Sequence, residues 1–250
     1  MALTVQEASV AYQQAMRNVG DGGEHATCRV CHTFIDPEYE ICFPCRQQPE
    51  SLSLVLPVSY SEHGGQLHLA LRNYKDGSVQ QVREYAWVRL TAILWRFLAA
   101  HESCLAGALR IDGFDLVTTV PSSSPEREAK SPLRQMVEAC RPIAPRHERL
   151  LGPSGTVLEG RDYDIDRYLA QRTLGGESIL LVDDTWTRGG HAQSAAGALL
   201  QAGAGQVALV VIGRHLTPDW EPVRDAGVSC DDIFSALPRF DWDYCAVHDF

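Results

Sequence analysis

The apolar positions of the chain change character near residue 52. Before it, Thr4 to Asn18 predicts a helix, because Thr4 followed three residues later by Glu7 makes a capping box and Gly20 supplies a stop. After it, "SLVLPVSY" and "QLHLALRNY" read as short strands, with Leu67, Leu69 and Leu71 on one face. A long helix is expected next, with Ser78 as N-cap, Gln81 at the capping-box position, and Val82, Ala86, Ile93 and Phe97 at helical spacing. "FDLVTTVPSS" predicts a buried strand ending at a Pro-Ser turn, and "SPLRQMVEACRPI" a helix that buries Leu133, Met136, Val137 and Cys140. "SILLVDD" and "QVALVVIG" are unbroken apolar runs of the kind buried on both faces of a parallel sheet. Helices alternating with such strands give an α/β domain with a mostly parallel central sheet, residues 51–250, preceded by a small module over residues 1–50.

Composition narrows the classes. The chain has 250 residues, 45% of them apolar, which suffices for one sizeable core and an appendage. The longest apolar candidate, Trp87 to Ala100, is interrupted by Arg89 and Arg96 and falls short of the roughly 20 residues of a membrane span. The first residues lack a basic start and a continuous apolar run, so a cytoplasmic protein without membrane contact is expected. A formal charge of −10 argues against direct, sequence-independent binding to nucleic acid, which depends on neutralising phosphates.

Four of the eight cysteines, Cys28, Cys31, Cys42 and Cys45, crowd into "CRVCHTFIDPEYEICFPC". Each CxxC turn aims two thiolates at one point, and two facing turns make the tetrahedral sulfur cage that Zn2+ favours. Four thiolates leave no open position, so this zinc is structural, in a zinc-ribbon-like module. Cys245 and His248 form a CxxH pair in the carboxy-terminal tail, where Phe240, Trp242 and Tyr244 predict docking onto the body.

The densest chemistry is "ILLVDDTWTRGGH", Ile179 to His191. Asp183 and Asp184 are expected at the end of a buried strand, since a carboxylate inside it would be costly to desolvate. Gly189 and Gly190 allow close backbone approach, and the helix that follows presents amides to an anion. Carboxylates for a diol and amides for a phosphate together describe a sugar phosphate site.

These residues resemble the phosphoribosyl diphosphate motif of type I phosphoribosyltransferases. The cysteine module, "LRNYKDG" and "AGAGQVALVVIGR" are similar to the ComF/GntX-like subgroup, over most of Cys28 to Arg214. The resemblance implies the type I phosphoribosyltransferase fold and Mg2+ bound with phosphoribosyl diphosphate. It gives the ribose hydroxyls to Asp183 and Asp184, and the 5'-phosphate to Thr187, Arg188, Gly189, Gly190 and His191. Arg188 and His191 stand where the family usually has threonines. By the same resemblance Ser122, Ser123 and Ser124 belong to a diphosphate loop that Arg127, Lys130 and Arg134 serve, Lys75 is a diphosphate ligand, and Arg161 and Arg167 lie between the two halves of the site.

Two functions follow. One is transfer of the phosphoribosyl group to an acceptor that the sequence does not name, with Asp183, Asp184 and Lys75 carrying the chemistry. The other is a non-catalytic sensor of phosphoribosyl diphosphate or a nucleotide that acts on a protein partner through the zinc module, which the resemblance connects with DNA uptake.

Overall fold

The computed structural model describes residues 3–20, 26–122, 124–156, 160, 162–217 and 230–249. Four parallel strands form the central sheet in the order β1 (Leu54–Glu62), β6 (Gln206–Leu216), β5 (Ser178–Trp186), β2 (Leu116–Thr119). A two-stranded antiparallel ribbon, β3 (Leu151–Pro153) with β4 (Tyr168–Ala170), stands apart from it. The helices are α1 (Val5–Ser9), α2 (Phe43–Arg46), α3 (Gln66–Asp76), α4 (Gln80–Ala108), α5 (Pro125–Ala129), α6 (Pro132–Ala139), α7 (Gly190–Gln201) and α8 (Cys230–Ala236). The fold is thus α/β with a mostly parallel sheet flanked by helices, as the sequence predicts.

Strand pleating divides the interior into two cores, because successive side chains of a strand point to opposite faces. On β5, Leu180 and Val182 join the core built with α3, α4, α6 and the carboxy-terminal tail. Ile179 and Leu181 join the other, built with α7 and the four clustered cysteines. Strand β6 divides the same way, Ala208, Val210 and Ile212 against Val207, Leu209 and Val211. Both faces are covered, which is why these strands read as unbroken apolar runs. The expected burial of Leu133, Met136, Val137 and Cys140 is observed.

Five local expectations change. "QLHLALRNY" is the helix α3 and not a strand: Leu67, Ala70, Leu71 and Tyr74 are buried at helical spacing while Leu69 is 47% exposed. The capping box of Thr4 and Glu7 is present, but α1 ends at Ser9, a 3-10 turn carries the chain to Ala15, and Met16 turns extended and fully buried. Helix α4 starts after Val79 and not Ser78, with no side-chain cap; the Arg83 guanidinium bonds the Gly77 carbonyl (2.6 Å) just before it. Val82, placed on the buried face, is exposed. Finally, β5 runs three residues past Asp183, so the acids are not beyond the strand. Its neighbour β2 stops opposite Val182, and that shortfall opens one flank of β5 at the acids.

The α3 assignment is testable by denaturation. Leu71→Ala should cost about 2–4 kcal/mol, as expected for a buried leucine, whereas Leu69→Ala should stay within about 0.5 kcal/mol of wild type. A strand would penalise both alike.

Candidate functional site

Pleating also separates the two acids. Asp184 is buried and accepts hydrogen bonds from the Tyr74 hydroxyl and the Lys75 ammonium, both at the carboxyl end of α3. Burial and then the Asp184 carboxylate push the Tyr74 phenol well above its ordinary range, so it stays a donor. Burial opposes the charge of Lys75, but Asp184, with Asp183 and Asp76 behind it, outweighs this and raises the ammonium pKa. Asp183 is only partly exposed and accepts the Asp184 backbone N–H (2.8 Å). Burial first, then the neighbouring Asp184 charge, push its carboxyl up to about 7.

Downstream of the acids, Trp186 is buried and lies against Gly189, whose φ of 87° is left-handed. A Cβ at Gly189 would fall 2.1 Å from the indole, so only glycine fits on both counts. Gly189 caps α7, and the amides of the first turn of that helix lack intrahelical partners and suit an anion. Thr187 and Arg188 are exposed and Gly190 is buried. His191 pairs through Nδ1 with the Tyr168 hydroxyl (2.8 Å).

Arg167, which immediately precedes β4, is buried; its Nη2 donates to the Asp162 carbonyl (2.9 Å) and its Nε has no partner among the described residues. A buried guanidinium with a donor to spare suits an anionic ligand. In the segment after β2, the Ser122 amide donates to Glu128 (2.8 Å), and Ser124 caps α5. Glu128 is almost fully buried and is held by Arg134 (2.8 Å). Arg134 also donates to the Glu128 and Ala129 carbonyls; it organises the segment instead of facing outward, while Arg127 and Lys130 are exposed. Ser123 and Arg161 lie outside the described residues.

Cys28, Cys31, Cys42 and Cys45 are buried with their sulfurs within 4.8 Å of one another. The Cys31 and Cys42 sulfurs are 3.7 Å apart, close to the roughly 3.8 Å edge of a tetrahedron with Zn–S bonds of about 2.3 Å. The Cys42 amide donates to the Cys28 sulfur (3.3 Å), and His32, at φ 57°, turns the first knuckle. The donor set and its spacing fit a structural zinc.

Two contacts tie this cluster to the acid-bearing strand. Gln48 donates to the Arg188 carbonyl (2.8 Å). Arg214, buried near the end of β6, donates to the Cys31 carbonyl (2.8 Å), the Cys31 sulfur (3.5 Å) and the Trp186 carbonyl (3.3 Å). Burial opposes its charge, and the thiolates of Cys31, Cys42 and Cys45 outweigh that and raise its pKa. Sequence reasoning missed Arg214, Tyr168 and Glu128. Arg214 ends the apolar segment "AGAGQVALVVIGR", which assigned it no role, and only the three-dimensional approach of Cys31 marks it.

No family model, curated protein or solved structure matches the chain.

Two outcomes are expected. Because the Asp183 pKa is raised on folding, its contribution is favourable below the ordinary carboxylate range and is lost as pH rises through about 7. Asp183→Asn should therefore raise the melting temperature at pH 8, and the gain should shrink steadily as pH falls below about 7. A gain independent of pH would contradict the burial argument. Separately, Cys28→Ser with Cys42→Ser should remove one equivalent of tightly held zinc, read by elemental analysis of protein purified without added metal.

Proposed function

We propose that the chain binds phosphoribosyl diphosphate with its accompanying Mg2+ and transfers the phosphoribosyl group to an acceptor nucleophile, on a fold of the type I phosphoribosyltransferase kind. The observation that carries this reading is the continuity of β5, Gly189 and α7: two carboxylates lead within a few residues to a left-handed glycine and a helix amino terminus. Carboxylates suit vicinal hydroxyls as acceptors, and the α7 amides suit a 5'-phosphate. Mg2+ enters as part of the substrate and neutralises the leaving diphosphate.

The residues of the chain then divide the work. Asp183 accepts from the ribose hydroxyls and, as an anion, favours the positive charge that builds on the ring as the bond to diphosphate breaks. Asp184 shares this role once Lys75 turns from it toward the diphosphate, while the Tyr74 hydroxyl keeps the carboxylate oriented. Arg167, with an unused Nε donor, takes a phosphate oxygen. Thr187, Arg188, Gly189, Gly190 and His191 form the 5'-phosphate loop. Ser122 and Ser123 belong to the diphosphate side.

A second reading has its own support. Asp184 is already bonded by Tyr74 and Lys75, and the phosphate loop has Arg188 and His191 in place of small hydroxyl residues. Both favour a protein that binds the ligand without turning it over and signals to a protein partner through the zinc module, to which Gln48 and Arg214 connect the loop.

Isothermal calorimetry tests binding. Asp183→Asn with Asp184→Asn should weaken phosphoribosyl diphosphate at least about tenfold, equivalent to about 1.4 kcal/mol; unchanged affinity in a folded double variant would end both readings. Arg188→Ala should weaken binding and Arg188→Thr restore part of it. Turnover separates the readings. Diphosphate release across a panel of bases, slowed by Lys75→Ala more than binding is weakened, identifies a transferase. Saturable binding with no release above that of the double variant identifies a sensor.

A further inference from the structure

The long helix α4 carries His101 and Cys104 three residues apart, hence on one face. The carboxy-terminal tail crosses that face and brings Cys245 to it, so that the ligand atoms of His101, Cys104 and Cys245 lie within 4.8 Å of one another. His101 and Cys245 are buried and Cys104 is partly so. None of the three belongs to the four-cysteine cluster or to the acid-bearing site.

The protonation pattern is the one a metal requires. His101 Nε2 lies 2.8 Å from the Trp242 carbonyl, which can only accept, so the proton of the neutral ring is on Nε2 and the lone pair is on Nδ1. The Cys104 sulfur is 3.8 Å from that Nδ1, near the roughly 3.6 Å expected between nitrogen and sulfur sharing a tetrahedral zinc. A carbonyl bonded to the distal nitrogen of a ligating histidine is the usual outer support that fixes ring and tautomer. The His63, His68 and His215 cluster also gathers its nitrogens within 4.8 Å, but there the Nδ1 lone pair of His68 already accepts the Gly64 amide (2.9 Å), and the ring proton is then on Nε2.

We infer that His101, Cys104 and Cys245 hold a second zinc ion, which joins α4 to the carboxy-terminal tail and has a fourth position left for water. Two thiolates and an imidazole are soft enough to select zinc over the hard cations, and binding releases the two thiol protons to solvent. The clasp adds to an apolar dock: Trp242 packs edge-on against Phe240 (4.8 Å), lies under the Arg96 guanidinium (4.1 Å), and donates to Gln13 (3.2 Å). A metal bond there joins the tail to the helix that forms much of one core.

Elemental analysis of the full chain, purified under reducing conditions without added metal, should give two zinc ions per chain. Cys104→Ser with Cys245→Ser should give one, and Cys28→Ser with Cys42→Ser should also give one; His68→Ala should leave two. Mass-spectrometric mapping of alkylation in the wild type provides a readout that needs no variant. Cys104 and Cys245 should resist the reagent until a chelator strips the metal and then react. A single zinc per wild-type chain that survives Cys104→Ser with Cys245→Ser overturns the inference, as does reactivity of both thiols with the metal in place or a Cys104–Cys245 disulfide in the purified protein.

Discussion

Arg214 holds the two halves of this molecule to one geometry. A guanidinium so deeply buried requires negative charge and acceptors close by, or its desolvation would unfold the region around it. The cysteine cluster can meet that need, since four thiolates around a divalent metal would keep a net negative charge, and Arg214 bonds both the sulfur and the carbonyl of Cys31. Another donor of the same fork reaches the Trp186 carbonyl, and the Trp186 indole fills the space that only a glycine at 189 leaves open. The chain of contacts therefore runs from the clustered cysteines through one buried cation to the first turn of α7. Protonation of these thiols would take the counter-charge from Arg214 and weaken its hold on the Trp186 carbonyl. The cysteine module is in this sense coupled to the candidate site through Arg214 and Gln48.

The acid pair shows how sheet geometry produces two different carboxylates from adjacent positions. Alternation of β5 turns Asp184 toward α3, where Tyr74 and Lys75 neutralise it. Asp183 is directed toward the other face, where burial and the like charge beside it raise its pKa to about 7. Because β2 ends opposite Val182, neither acid is covered by a strand on that flank. One carboxylate arrives paired and the other arrives strained, so a ligand that supplies hydroxyl donors or a positive centre relieves Asp183 at once and must compete with Lys75 for Asp184. Strain of this sort at a sheet's carboxyl edge is uneconomic for a purely structural residue and is common where a ligand completes the set.

Much of the fold was legible because its signals extend over long runs. The apolar stretches of β5 and β6, the helix over Leu133 to Val137 and the doubled CxxC turns each repeat one physical requirement several times. The stretch from Leu67 to Leu71 failed because five residues satisfy both periods: Leu67, Leu69 and Leu71 alternate, yet Leu67 and Leu71 are also one helical turn apart. Extending the window to Tyr74 would have favoured the helix, since 67, 70, 71 and 74 form one helical face. The acids and Gly189 could be read from local sequence, whereas Arg214, Glu128 and Tyr168 could not, because their roles come from partners that only the fold identifies: Cys31 for Arg214, His191 for Tyr168, and for Glu128 the Arg134 fork and the Arg149 guanidinium. The tail illustrates the same limit. Cys245 carried little meaning until α4 placed a histidine and a cysteine opposite it.

The ends of the chain meet a constraint that a four-stranded sheet cannot meet by itself. Strand β1 is an edge, and an exposed edge invites pairing with other chains. Here the segment after α1 covers it: the Arg17 amide bonds the Ser59 hydroxyl (2.9 Å), the Tyr60 amide reaches the Arg17 carbonyl (3.4 Å), and Arg17 bridges to Arg239 of the tail. Tyr60 in turn donates to the His32 carbonyl (2.7 Å) of the first cysteine knuckle. The opposite edge, β2, is closed by a bridge from Val117 to His147. Segments that protect β1 come from both termini, and buried apolar residues hold them there: Met16 and Val19 on the amino-terminal side, Phe240, Trp242 and Val247 in the tail. The central strands are then free to carry carboxylates at their open flank, because the edges that would otherwise limit the sheet are secured from outside it.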